Sequence, residues 1–360
     1  MKKTLVALAV AAAAVASTAN AAVVYEQDGA KVELSGSFRA FLGRVADERG
    51  DLKNDDSRIT LKGSQDLGNG LSAFVGYEIR FEDTDGPFKE ASADSDFGSP
   101  TTRHLYAGIK HADVGALSFG RQATNGDDVL QDATYFRSGE YGNLTTRSDK
   151  SVKFRSAEWN GFSFGADYLF GHENKEVDPT LVNPVTGQLV AQYKNGYGLA
   201  AFYHYDIAED QKLEFAAGYT QDNYDTLALS TESTWKKKAW LLHGSYTYGP
   251  VYLALNYGQY KNSYDNNVVS NEDTKGRYAM VDARYQFSEP SALFAQWERK
   301  DRRSDVTGDT NQIKNRYQVG VDYKLHKNVV TYAMYEQERI KDNEGTEKDN
   351  IYGVGLRVFF

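Results

Sequence analysis

The last nine residues read Tyr352-Gly353-Val354-Gly355-Leu356-Arg357-Val358-Phe359-Phe360. Side chains two apart on a strand share a face. Tyr352, Val354, Leu356, Val358 and Phe360 therefore form one wholly apolar face, and the other face is small or charged apart from Phe359. A strand with one side for lipid and one for water is what the wall of a transmembrane β-barrel requires. The terminal carboxylate sits on an aromatic of the apolar face, which is rare for the last strand of a water-soluble sheet.

The same alternation recurs along the whole chain. Apolar faces run through Val32, Leu34, Gly36, Phe38 and Ala40, then through Leu71, Ala73, Val75, Tyr77, Ile79 and Phe81. Further ones run through Phe162, Phe164, Ala166, Tyr168 and Phe170, and through Tyr317, Val319, Val321, Tyr323 and Leu325. Aromatics cluster toward the ends of these faces, as a lipid band bordered by aromatic girdles demands. The segment from Val329 to Lys341, with Val330, Tyr332 and Met334, alternates less clearly.

Short turn-forming connections, such as Gly68-Asn69-Gly70, Asp113-Val114-Gly115, Gly249-Pro250 and Ser288-Glu289-Pro290, alternate with long polar ones. The long set includes Asp47 to Asp56, Asp83 to Thr101, Gln122 to Asp149, Gly171 to Lys194, Asn223 to Thr234, Ser263 to Thr274 and Asp342 to Lys348. This layout predicts an all-β, 16-stranded antiparallel transmembrane β-barrel with short periplasmic turns and long extracellular loops. An even strand number lets the first strand, Lys31 to Ala46, close against the last and removes every edge from lipid. All six prolines fall in the predicted loops and turns, where a missing N–H does no harm.

Composition narrows the function. Lys2 and Lys3, an alanine-rich apolar run and Ala19-Asn20-Ala21 predict a cleaved signal peptide over residues 1–21, leaving a barrel of residues 22–360. A net charge of −9 argues against a nucleic-acid partner. The absence of cysteine excludes disulfides and thiol catalysis. The six histidines are scattered without metal-ligand spacing, and Asp83-Thr84-Asp85-Gly86 lacks the downstream acidic pattern of a calcium loop. No Walker sequence or nucleophile elbow is present, so neither an enzyme nor a cofactor nor a metal is expected. An outer-membrane lipase or protease would need converging His with Ser or Asp on one rim. A surface adhesin or a substrate-specific channel on the same barrel are the alternative readings.

The chain resembles the general diffusion porins of Gram-negative bacteria, and most closely the protein-H-type major porins of the Pasteurellaceae. The resemblance rests on Ala22-Val23-Val24-Tyr25-Glu26-Gln27-Asp28-Gly29 with Lys31-Val32-Glu33-Leu34. It also rests on the stretch Arg103 to Arg121, through Tyr106-Ala107-Gly108 and Phe119-Gly120-Arg121, and on the closing strand. It implies a homotrimer in outer-membrane lipid and lipopolysaccharide, passing small hydrophilic solutes, with its ending read by the barrel-insertion machinery through Phe360. It also implies that the third loop, Gln122 to Asp149, folds inward. That loop carries Asp127, Asp128, Asp132 and Glu140. Its Gly139-Glu140-Tyr141-Gly142-Asn143 resembles the Pro-Glu-Phe-Gly-Gly tip of enterobacterial relatives.

A channel needs a polar lumen and a field at its narrowest point. Parity places Glu33, Ser35, Ser37 and Arg39 inward on the first strand, Arg58, Thr60 and Lys62 on the second, and Glu78 and Arg80 on the third. Arg58, Arg103 and Arg147 resemble members of the porin arginine cluster, and Lys153 and Arg155 share the parity of Arg147. The expected constriction is Arg39, Arg58, Arg103 and Arg147 facing Asp127, Asp128, Asp132 and Glu140.

Overall fold

The computed structural model describes residues 21–81, 100–137, 139–174, 191–228, 231–265, 273–304 and 311–360. The signal segment 1–20, Asp83-Thr84-Asp85-Gly86, and Pro87, Pro179 and Pro184 lie outside the described residues. The strands are β1 Ala22–Gln27, β2 Ala30–Val45, β3 Asp51–Asn54, β4 Ser57–Gly68, β5 Leu71–Phe81 and β6 Pro100–His111. They continue as β7 Gly115–Ala123, β8 Arg147–Ser156, β9 Phe162–Phe170, β10 Gln192–Ala208, β11 Gln211–Ala228 and β12 Thr231–Tyr248. The last six are β13 Val251–Asp265, β14 Thr274–Gln286, β15 Ser291–Ser304, β16 Gln312–His326, β17 Val329–Lys341 and β18 Thr346–Phe359.

All neighbours pair antiparallel in one 18-stranded sheet. The short β1 and β3 lie along β2, so the closed ring has sixteen wall strands. Closure joins β18 to β2, from Ile351 opposite Val45 to Phe359 opposite Ser37. The Phe360 N–H donates to Gly36 O at 3.1 Å and its terminal carboxylate accepts from Gly36 N at 2.8 Å, so the terminal residue completes the seam. A Cβ on Gly36 would run into the Phe360 ring, which is why that position bears no side chain. Below Phe360 the edge of β2 is taken up by β1.

The terminal face points outward as the alternation requires, with Tyr352, Val354, Leu356 and Phe360 exposed and Ile351 buried inside. The connections at the other end of the barrel differ from expectation. Residues Asn223 to Thr234 are mostly ladder: Tyr224 pairs with Trp235, ring on ring at 4.1 Å, and pairing continues to Ala228 opposite Thr231. Of Asp342 to Lys348 only Asp342 to Gly345 form a tight turn, in which Asp342 Oδ1 accepts from the Glu344 and Gly345 amides, while Thr346 to Lys348 already pair with β17. Polar composition there marks strands that extend beyond the lipid band into water, where both faces are wet.

The interior is not an empty tube. Each of the three buried apolar clusters among the described residues includes part of segment 124–146: Val129, Tyr141 and Leu144 in one, Tyr135 and Phe136 in another, Ala133 in the third. Phe136 stacks on Phe41 at 4.2 Å, and Tyr135 stacks on Tyr332 at 4.5 Å. Fully burying an apolar side chain is worth about 1.5–3 kcal/mol, so these contacts hold the segment firmly. They also explain why β17 alternates less clearly. Val330, Tyr332 and Met334 are buried and face into the barrel, because the segment gives them an apolar surface to meet.

Candidate functional site

Segment 124–146 leaves β7 at Ala123 and is fixed at once. The Asn125 amide donates to Asp167 Oδ2 at 2.9 Å, and its carboxamide donates to Asp167 Oδ1 at 3.0 Å and to Phe154 O at 3.1 Å. Gly165 makes room for this docking, since a Cβ there would collide with the Asn125 side chain. Further contacts fall on Asp222, Asn256, Asp322 and Gln318, so the segment sweeps across the inner faces of β11 to β16.

Its tip is clamped by an ionic latch. Arg316 is fully buried and binds Glu298 at 3.0 Å, Glu336 at 3.0 Å and Glu140. Arg137 binds Glu140 at 3.0 Å, Glu336 at 3.3 Å and Glu338 at 3.5 Å. The Tyr141 amide donates to Glu298 at 2.8 Å, its hydroxyl donates to Glu338, and the Arg316 guanidinium lies 4.4 Å from the Tyr141 ring centroid. Burial pushes the Glu140 carboxyl up, but Arg316 and Arg137 outweigh it and hold the group below the usual carboxylate range. Burying several charges together is tolerable only when they are paired and hydrogen-bonded, and here they are.

The inner faces of β18, β2, β4 and β5 carry a different constellation. Arg357 stands directly opposite Arg39, and Arg58 directly opposite Arg80. Arg357 binds Asp55 at 2.6 Å, Arg80 binds Asp56 at 2.7 Å and Glu78 at 3.1 Å, and Arg58 reaches Glu78 at 3.8 Å. Arg39 donates to Ser37 Oγ at 2.8 Å, and among the described residues no carboxylate pairs with it. Arg39 and Arg58 line a cavity of about 180 Å³ with Lys62, Glu78 and His104.

The eight expected constriction residues thus separate. Arg39 and Arg58 share the arginine wall. Arg103 sits in a β-bulge, since Glu78 pairs with His104 and Ile79 with Thr102; the Arg103 carbonyl accepts from Arg121, and His104 takes the lumen position 3.9 Å from Glu78. A one-residue insertion of this kind changes the face of the side chains beyond it, so His104 and Arg103 depart from the simple alternation of β6. Arg147 lies apart, lining a cavity of about 790 Å³ with Arg121, Lys150 and Lys237. Asp127 is open to lumen water although protein encloses it on most sides, and Lys153, Arg80 and Arg58 act on its charge. Asp128 pairs with Arg155 at 3.2 Å. Asp132 lies close enough to Asp282 and Glu298 to act on both. Glu140 belongs to the latch and does not reach the arginine wall. Arg80, Arg357, Arg137 and Arg316 complete the picture; inward parity exposed Arg80, while the others needed the packing of the segment to be recognised.

Comparisons with known proteins agree with this architecture. The sequence profile of the Gram-negative porin family matches residues 7–343. The chain is 36% identical over 375 residues to the major outer membrane protein of Pasteurella multocida strain Pm70, with 100% of each chain covered. It is 28% identical over 394 residues to outer membrane porin F of Xenorhabdus nematophila, again with 100% of each covered. The trimer form of OmpT from Vibrio cholerae superposes with a TM-score of 0.69 at 19% identity, covering 92% of this chain and 100% of that one.

Proposed function

The chain belongs to the Gram-negative porin family and is a passive diffusion channel of the outer membrane, and on that premise we propose that its narrowest passage runs between the arginine wall and the root of segment 124–146. One observation carries this reading: the Asp127 carboxylate stands free in lumen water under the influence of Arg58, Arg80 and Lys153, strands away from its own. Cations on one bank and carboxylates on the other set up a transverse field, which orders water and ranks small ions and hydrophilic solutes as they pass. Arg39 stands out in the wall because it holds no ion pair of its own, the nearby Asp55 being bound by Arg357.

Reversal potentials across a bilayer with a salt gradient test this. Arg39→Gln should make the channel more cation-preferring, and Asp127→Asn should move it toward anions. Charges about 10 Å apart are partly screened at about 0.1 M salt, so both shifts should grow as salt is lowered. Identical reversal potentials for parent and variants at low salt would remove these residues from the passage.

Three further features belong to the same reading. The protein works as a homotrimer, as the trimer form of the Vibrio neighbour supports; unheated detergent samples should migrate as an oligomer, and a monomer by crosslinking would refute it. Residues 1–21 are removed on export, so the mature N-terminus should sequence as Ala22. Phe360 serves assembly more than conduction, because it closes the seam against Gly36. Deleting it should lower the folded protein in the outer membrane, and normal levels would count against that role.

A further inference from the structure

We propose that the cavity of about 790 Å³ at the long-loop end of the lumen is a capture site for a small phosphorylated sugar. One side of it is Leu144, Thr145 and Thr146, where segment 124–146 returns to the wall, and the other is built by the ends of β10, β11 and β12. Strand parity puts that second side in the lumen. Asp222 and Tyr224 share a face with the buried Thr220, and Lys237 shares one with Ala239 and Leu241, which join Leu144 in a buried cluster. The volume suits a small organic solute, whose sites span roughly 300–1,000 Å³.

Two groups in the lining carry the chemistry. Gln192 is 8% exposed, and neither its Nε2 nor its Oε1 has a hydrogen-bond partner. A buried donor and acceptor on one carboxamide are met together by sugar hydroxyls, each of which both donates and accepts. A bare anion would meet only the donor. Lys237 supplies the charge. Asp222, directly opposite it on β11, accepts instead from the Tyr193 hydroxyl at 3.0 Å and from Thr145. The other carboxylate of the lining, Asp149, is bound by Arg121 at 2.8 Å. The positive field continues along the mouth: Lys300 stands directly opposite Lys314, and both Lys237 and Lys314 lie close enough to act on it. The carboxylate that acts on Lys300, Glu298, is already held by Arg316 at 3.0 Å. Like charges directly opposite one another oppose strand pairing, so three inward lysines at one mouth are a feature that an arriving anion would favour.

A phosphate drawn to Lys237 would receive charge-assisted hydrogen bonds, which leaves the sugar ring to reach Gln192. The aromatic part of the wall is fixed, since Tyr224 carries Trp235 on its face at 4.1 Å and Tyr193 at its edge at 5.1 Å. Such rings offer an apolar surface with a polar hydroxyl tip, which matches a sugar's mixed surface. Capture at the mouth raises the solute concentration ahead of the passage, and binding must stay weak enough for release. This inference rests on the lumen being the conducting path and names a solute class that the path favours.

The test records the full mature protein in planar bilayers and reads the concentration at which an added solute half-blocks the current. The probes are glucose 6-phosphate, glucose and inorganic phosphate. Glucose 6-phosphate should block the parent at a concentration about ten-fold lower than either of the others, because it alone engages both groups. Gln192→Leu should weaken the glucose 6-phosphate block about five-fold and leave that of inorganic phosphate unchanged. Lys237→Gln should weaken the block by both phosphate-bearing probes, and Lys237→Arg should restore it. Should Gln192→Leu not fold, Gln192→Glu keeps the side chain's size, removes the donor and should weaken the glucose 6-phosphate block further by repelling the phosphate. Block by glucose or by inorganic phosphate as strong as that by glucose 6-phosphate would overturn the proposal. So would parent-like block by glucose 6-phosphate in both the Gln192 and the Lys237→Gln variants. The reversal potentials of the parent and Arg39→Gln are measured in the same membranes, and their expected difference keeps the channel reading standing when the sugar-phosphate test fails.

Discussion

Two arginine clusters sit on neighbouring stretches of the inner wall and are put to opposite uses. In the wall cluster four guanidiniums, from Arg39, Arg58, Arg80 and Arg357, meet three carboxylates, from Asp55, Asp56 and Glu78. In the latch two guanidiniums, from Arg137 and Arg316, meet four carboxylates, from Glu140, Glu298, Glu336 and Glu338. The wall keeps contact with water: the Arg58 side chain is 18% exposed, whereas that of Arg316 is 0% exposed. A charge open to the lumen acts on passing ions, and a charge sealed against its partners acts on the backbone. The sign of a residue does not decide between these roles, but its access to water does.

The largest effect should come from breaking the latch. Arg316→Met leaves Glu298 and Glu336 buried without their shared cation, and removing one partner of a buried ion pair costs about 3–5 kcal/mol. The variant should lose heat stability in detergent mobility assays and show noisy, multi-level single-channel currents as segment 124–146 loosens. Stability and current like those of the parent would mean that the apolar contacts of Phe136 and Tyr135 suffice. Arg39→Gln should leave heat stability nearly unchanged, because that residue holds no ion pair.

A pH scan sharpens the contrast on the acidic side. Enclosure within the barrel and then Asp128 push the Asp127 carboxyl up to about 6, against the pull of Lys153, Arg80 and Arg58. The group is therefore charged above that pH and neutral below it. Cation preference should fall as pH drops from about 7 to about 5, in the interval set by the raised group rather than near an ordinary carboxylate value of about 4. Asp127→Asn should flatten that step, and a step of full size in this variant would assign it to another group.

The smallest effect is expected at Glu140. Its charge is matched by Arg316 and Arg137, which hold it below the usual range, so Glu140→Gln should move the reversal potential less than Asp127→Asn does. A larger shift at Glu140 would return the tip to the passage and collapse the distinction between wall and latch.

Much of the barrel was legible in the sequence, because a period of two is a local property and lipid enforces it on one face. The closing strand, the sixteen-strand ring and the inward parity of Arg39, Arg58 and Arg80 all followed from it. The rest depended on partners far away in the chain. Tyr332 and Met334 look like lipid-facing residues until Tyr135 and Phe136 are known to lie against them. The bulge at Arg103, which shifts the pairing of β6 with β5, left no clear mark in composition. The latch joins residues 137 to 141 with 298, 316, 336 and 338, and no short-range pattern records that meeting. Strands running past the membrane read as loops, since water on both faces removes the alternation.

The most direct test of the wall as the field-bearing bank exploits the absence of cysteine from the chain, which makes an introduced thiol unique. The channel carrying Arg39→Cys would be recorded in a salt gradient before and after a cationic and then an anionic methanethiosulfonate reagent. The account predicts that the unlabelled variant is more cation-preferring than the parent, that the cationic label returns it toward the parent, and that the anionic label drives it further toward cations. Reversal potentials that ignore both labels, with labelling verified by mass, would contradict it.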